Sequence, residues 1–131
     1  MDKNELSASQ EDYLETILQI QKEKGTVRAR EIADRLKVTP PSVTGALQAL
    51  NGEGLVHHEP YDFVTLSEKG ARMAEDILHR HETLREFFVA VLKVDQPEAT
   101  KAACAMEHAL SPVILKKLVA FLKHFRREES A

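Results

Sequence analysis

Two consecutive prolines, Pro40 and Pro41, constrain this chain more than any other feature. A proline ring clashes with the carbonyl four residues back and offers no N–H, so a helix accepts it only in its first turn. A helix is therefore predicted to begin at Pro40 or Pro41 and to run through Val43, Ala46, Leu47 and Leu50 to the breakers Gly52 and Gly54. Just upstream, Ile32, Ala33 and Leu36 recur at i, i+1 and i+4, the inner face of a short helix over about 29–36. Two short helices joined by Lys37-Val38-Thr39, the second rich in small polar groups, have the layout of a helix-turn-helix.

The flanks extend this unit. Ser9 followed by Asp12 reads as a capping box opening a first helix over about 9–24, with Leu14, Ile17 and Leu18 on one stripe and Gly25 as its stop. Leu55 to Glu59 and Phe63 to Leu66 are β-prone runs around Pro60-Tyr61-Asp62, a hairpin where a wing would follow the second helix of the motif. Ser67 caps a long helix of about 68–92, with Met73, Ile77, Leu84, Phe87, Phe88 and Val91 as apolar positions. Asp95 with Pro97, and Ser111 with Pro112, start two more helices, and the tail Arg126-Arg127-Glu128-Glu129 reads as a solvated, fraying end. The predicted fold is mainly α. A winged helix-turn-helix of three helices plus a two-stranded wing, residues 1–72, is followed by an all-helical domain, residues 73–131.

Composition limits the chemistry. At 131 residues and 43% hydrophobic content the chain folds without staples. Its single cysteine, Cys104, forbids an intrachain disulfide and a four-cysteine zinc knot, so any metal site mixes ligand types. No apolar run nears the roughly 20 residues of a membrane span, and the start Met1-Asp2-Lys3-Asn4-Glu5 lacks the layout of a signal peptide. A cytoplasmic location without membrane attachment is expected. The net charge of −3 argues against a general polyanion binder. Locally, between Lys24 and Leu50, five basic residues face only Glu31 and Asp34, which puts positive charge where a DNA-facing unit needs it.

Cys104, Glu107 and His108 stand at i, i+3 and i+4, which sets thiolate, carboxylate and imidazole on one helical face. Read alone, that motif is more often a buried cysteine beside two solvated polar residues. Asp12 and Glu15 share a face of the first helix, and His81 lies on the long helix, so six potential ligands on three helices invite convergence. A mixed oxygen, nitrogen and sulfur set suits Mn(II), Fe(II), Co(II), Ni(II) or Zn(II) rather than Ca(II) or Mg(II). No zinc-protease H-E-x-x-H, no G-x-S-x-G and no phosphate-cradling glycine loop is present, so the chain does not read as an enzyme.

For DNA, the second helix of the motif offers Thr39, Pro41, Ser42, Thr44 and Gln48, with Gly45 allowing close approach to a groove. Arg28 and Arg30 are expected at phosphates, where they set position and not sequence. The wing holds no Lys or Arg between Leu55 and Leu66, only His57 and His58, so its grip on DNA is expected to be weak.

Taken together, Glu11 to Glu15, Val27 to Leu36, Pro41 to Thr44, Leu66 to Gly70, Arg80 to Glu82 and Cys104 to Ser111 resemble the diphtheria-toxin-repressor family of metal-dependent regulators over about residues 7–125. The resemblance implies an N-terminal winged helix on a double-stranded, pseudo-palindromic operator. It implies a helical C-terminal homodimerisation domain, and a metal-loaded dimer that represses metal-uptake genes. Asp12, Glu15, His81, Glu107 and His108 match the two-metal site of the manganese branch, the manganese transport regulators. Cys104 stands where that branch usually has glutamate and the iron branch cysteine, and Asp12 where the iron branch usually has methionine. Arg85 and Thr100 stand where the iron branch's ancillary site uses a carboxylate and a histidine, so that site is expected to be absent, and a length of 131 residues, where many iron-branch members append an SH3-like domain, likewise favours the manganese branch. Mn(II) or Fe(II) is the expected activator, with Zn(II), Co(II) or Ni(II) substituting in vitro. A winged-helix regulator sensing a small organic ligand, or redox state through Cys104, is the alternative reading.

Overall fold

The computed structural model describes residues 6–130. The start from Met1 to Glu5, read above for a signal peptide, lies outside the described residues, as does Ala131. The chain divides into two compact units, one reaching to Asp76 and the other beginning at Ile77. Among the described residues no helix is long and apolar enough to cross a membrane.

The first unit is built from α1 (Ala8–Lys24), α2 (Ala29–Leu36), α3 (Pro40–Gly52), β1 (Val56–His58) and β2 (Val64–Leu66), and it includes the opening of α4 (Glu68–Glu86). The N-cap of α1 lies two residues earlier than the Ser9–Asp12 pattern suggests. Ser7 is its N-cap, accepting from the Gln10 backbone while the Gln10 side chain returns to the Ser7 N–H at 3.0 Å. Ser7-x-x-Gln10 meets the capping rule as well as Ser9-x-x-Asp12 does. Gly25, at φ 86°, ends the helix in the left-handed region that glycine occupies without penalty.

Pro40 and Pro41 fill the first turn of α3 behind a Thr39 N-cap, as the sequence predicts. The inward faces of these helices meet in one core: Leu14, Ile17, Ile20, Ile32, Leu47 and Leu50 have no exposed surface. Leu55, Val56 and Val64 close it from the wing. The two wing strands are antiparallel, pairing Val56 with Leu66, His57 with Thr65 and His58 with Val64. Ser67 caps α4 through the Gly70 N–H at 2.9 Å. A Cβ on Gly70 would lie 2.0 Å from the Leu55 carbonyl oxygen, so only glycine lets α4 start this close to β1.

In the second unit the expected regular helix to residue 92 gives way at Phe87–Val91 to a π-helical turn, with the Leu92 N–H reaching back to the Phe87 carbonyl at 3.4 Å. The wider turn accompanies an aromatic row, Phe87 against Phe88 and Phe121, and Phe121 stacked on Phe125. Helix α5 covers Gln96–Met106, a 3₁₀ turn follows at Glu107–Ala109, and α6 covers Pro112–Ser130. The charged tail is therefore helical and not frayed. Arg126 pairs with Glu86, Lys93 with Glu129 at 3.8 Å and His124 with Glu128 at 3.4 Å.

Candidate metal centre and DNA-contact face

Helix α5 buries a small-residue stripe, Ala99 and Ala103, and the next step of four along the chain is Glu107, which has no exposed surface. On α4 the buried apolar positions Ile77 and Leu84 bracket His81, itself 6% exposed. Each stripe thus carries one polar group where an apolar one would bury at lower cost, and a buried carboxylate needs a partner. The two supply each other: His81 Nδ1 lies 2.9 Å from Glu107 Oε1. Cys104 Sγ stands 3.8 Å from the same nitrogen on an otherwise exposed residue.

These three donor atoms all lie within 4.8 Å of one another. Ligands about 2.0–2.3 Å from one ion and at right angles to each other stand about 3 Å apart, and wider angles spread them further, so the spacing fits a single shared cation. The donor set, one imidazole nitrogen, one thiolate sulfur and one carboxylate oxygen, fits a borderline first-row ion. The Cys104 thiol would give up its proton to ligate as a thiolate, so metal binding through all three groups would release a proton.

The other predicted ligands are placed differently. Helix α5 ends at Met106, so Glu107 and His108 belong to the 3₁₀ turn and not to a continuous helical face with Cys104. The half-buried His108 follows Glu107 in that turn and is not one of the three converging donors. Asp12 and Glu15 stand on α1 in the first unit; Glu15 is buried, with its Oε2 accepting from Gln19 Nε2 at 3.4 Å, and Asp12 is half-buried.

All eight residues expected at DNA, Arg28, Arg30, Thr39, Pro41, Ser42, Thr44, Gly45 and Gln48, are exposed, whereas Val43, Leu47 and Leu50 face inward. Gly45 has open space where a Cβ would stand, so the fold itself does not demand glycine there. Thr39 Oγ1 and Ser42 Oγ lie 2.9 Å apart, and the Thr44 hydroxyl donates to the Pro40 carbonyl at 3.2 Å, so all three hydroxyls have partners at the start of α3.

The local positive charge is smaller than the count suggests. Arg35 makes a two-pronged bond to Glu23 at 2.9 and 3.0 Å, and Lys24 bonds Glu31. The hydrogen bond from Arg35 holds the Glu23 carboxyl below its ordinary range, and the one from Lys24 does the same for Glu31. Glu23 lies just outside the stretch over which the charges were counted, which is why the pairing escapes the sequence pattern. Arg28 stacks its guanidinium 4.7 Å above the Phe63 ring, and its backbone bridges Phe63. Phe63, read from the sequence only as a β-former, thus orients an arginine that the sequence expects at DNA.

Comparison with known proteins bears on both halves. Residues 5–64 match the family model described as iron dependent repressor, N-terminal DNA binding domain. Residues 67–130 match the one described as iron dependent repressor, metal binding and dimerisation domain. An uncharacterised helix-turn-helix-type transcriptional regulator of Methanocaldococcus jannaschii is 40% identical over 122 residues, 92% of this chain and 98% of that protein. The transcriptional regulator MntR of Bacillus velezensis is 32% identical over 122 residues, 93% of this chain and 85% of that one.

Among solved structures, a manganese-dependent transcriptional repressor in complex with manganese is 30% identical, with a TM-score of 0.81 over 87% of this chain and 52% of that one. The IdeR structure from T. acidophilum, 21% identical with a TM-score of 0.81 over 90% of this chain and 55% of that one, shares the fold. This chain spans about half the length of those solved proteins.

Proposed function

The chain belongs to the iron dependent repressor family of metal-dependent transcriptional regulators, and on that premise we propose that it is a Mn(II)- or Fe(II)-activated repressor of metal-uptake genes. The observation that carries the metal half is the convergence of His81, Cys104 and Glu107 within 4.8 Å, in the half that matches the metal-binding domain. These three residues would hold the ion, with His108 beside them. Asp12 and Glu15 are assigned to the ligand set on the likeness of Glu11 to Glu15 to the manganese branch. A bound divalent ion supplies positive charge to a cluster that otherwise gathers a carboxylate and a thiol.

The DNA half acts through the exposed face of α3. Gln48 is suited to an adenine edge, the Thr39, Ser42 and Thr44 hydroxyls to phosphates or bases, and Arg28 and Arg30 to phosphates. Helix α6 leaves Val113, Ile114 and Phe121 exposed at 65%, 52% and 44%, apolar surface suited to a homodimer. A two-fold dimer would offer two α3 helices about 34 Å apart to the half-sites of a pseudo-palindromic operator.

The deciding experiment is selection of duplex DNA from a randomised pool by the full chain across a series of Mn(II), Fe(II), Co(II), Ni(II) and Zn(II) at fixed salt, followed by titration with and without a chelator. Affinity that rises on adding Mn(II) or Fe(II) supports the reading, and equal affinity in all conditions refutes it. By linkage, DNA must raise metal affinity by the same factor.

A further inference from the structure

Helix α6 carries no Asp or Glu between Pro112 and Arg127, in a chain whose net charge is −3. Its cations are not all engaged inside the fold. Arg126 pairs with Glu86 and His124 with Glu128, whereas among the described residues the side chains of Lys116 and Lys123 have no partner. Both line an open groove of about 450 Å³ between α6 and His79 of α4. Two neighbouring rows of α6 form it, each at a step of four: Pro112, Lys116 and Ala120, then Leu115, Val119 and Lys123. Leu115 and Val119 are half-buried and Ala120 is exposed, so the floor is apolar and open. Val113, Ile114 and Phe121, assigned above to the homodimer, lie on the other flank of the helix, across the buried Leu122.

An apolar floor between two ammonium groups matches an amphipathic anion. Lys116 and Lys123 stand seven residues apart, about 10 Å along the helix axis, and no acidic residue lines the groove. Its volume lies within the range that takes a small organic ligand. A DNA duplex would use the two charges and gain nothing from Leu115, Val119 and Ala120. A single acyl chain covers that floor and leaves its carboxylate for an ammonium. We propose that this groove is a binding site for a free medium-chain carboxylate, its chain lying along the two α6 rows and its head accepting from Lys116 or Lys123. The inference needs neither the metal centre nor DNA and stands independently of the repressor reading.

The test titrates the full chain with sodium decanoate below its micellar concentration, read by calorimetry and by backbone amide shifts. One site per protomer is expected, with shifts at His79 and along the groove rows of α6. Octanoate, shorter by two methylenes, should bind about tenfold more weakly. Decanol, of equal chain length but without the charge, should be weaker by at least about tenfold. Replacing both cations, Lys116→Gln with Lys123→Gln, should lower decanoate affinity at least about tenfold. Ala120→Glu puts a good helix former with a negative charge at an exposed position and should abolish binding. Lys117→Gln removes the same charge from the other flank and should leave binding unchanged. No saturable binding by the wild type, equal binding of decanol, or an equal loss in Lys117→Gln overturns the inference. A dimer weakened by Ala120→Glu also overturns it, by giving the groove to a second copy. So do shifts produced by phosphatidylglycerol vesicles and not by decanoate, which would give the surface to a membrane.

Discussion

His81 and Glu107, 26 residues apart in sequence, face each other at 2.9 Å in the interior of the C-terminal unit, Nδ1 to Oε1, with Cys104 Sγ 3.8 Å from the same nitrogen. A buried carboxylate so placed can be satisfied by the imidazole N–H or by a cation that replaces the proton. Glu107→Gln keeps the volume and a hydrogen-bond partner for His81 while removing the charge. It is expected to lower Mn(II) affinity at least about tenfold while leaving the metal-free fold and the oligomeric state as in the wild type. Calorimetric titration with MnCl2 beside circular dichroism and sedimentation checks this, and His108→Ala tested in parallel is expected to lose the metal response as well. A normal response in either variant would remove that residue from the ligand set.

Cys104 is the soft member of the cluster, and replacing it changes which ion fits. Cys104→Glu is expected to move selectivity toward Mn(II) and away from Zn(II), because a hard oxygen replaces a thiolate. Competition between the two ions, read by metal analysis after dialysis, measures the shift, and an unchanged ratio would place the sulfur outside the coordination sphere.

Phosphate contacts should separate from internal ion pairs by their salt dependence. Arg30 is exposed near the start of α2, whereas Arg35 is tied to Glu23. Arg30→Ala is expected to reduce the slope of log affinity against log salt by about 0.9, the value for one lost phosphate contact. Arg35→Ala should leave the slope unchanged and lower stability slightly. Equal slopes for wild type and Arg30→Ala would refute the phosphate assignment.

The Glu23 and Glu31 carboxyls are held low by Arg35 and Lys24, so their pairing stabilises the fold above the ordinary carboxylate range and is lost as pH falls through their lowered values. Both sites are solvated, and the effect is expected to be small. Chemical denaturation from neutral to acidic pH should show a shallower loss of stability in Glu23→Gln than in the wild type, and parallel profiles would mean that the clamp contributes nothing.

Gly70→Ala tests the close approach of α4 to β1. The added methyl would sit 2.0 Å from the Leu55 carbonyl oxygen, a backbone atom that cannot swing aside. A loss of about 1–3 kcal/mol is expected in urea denaturation, and a neutral result would mean that the start of α4 shifts freely.

Much of the architecture was legible in the chain. Pro40 and Pro41 set the start of α3, the spacing of Ile32, Ala33 and Leu36 marks α2, and the β-prone runs around Pro60 to Asp62 become the wing. These signals are local: a proline's ring and a repeat of three or four residues act within one turn. The six candidate ligands could also be named from residue type and resemblance. What packing alone decided is which groups meet. His81, Cys104 and Glu107 converge from α4, α5 and the 3₁₀ turn, and Glu107 leaves the helical face because α5 ends one residue before it. Arg28 lies on Phe63, 35 positions away, and Arg35 is engaged by Glu23, 12 positions away, so the charge available to DNA is smaller than the count along the chain. Such contacts join side chains across elements, and no periodicity within a single helix or strand encodes them.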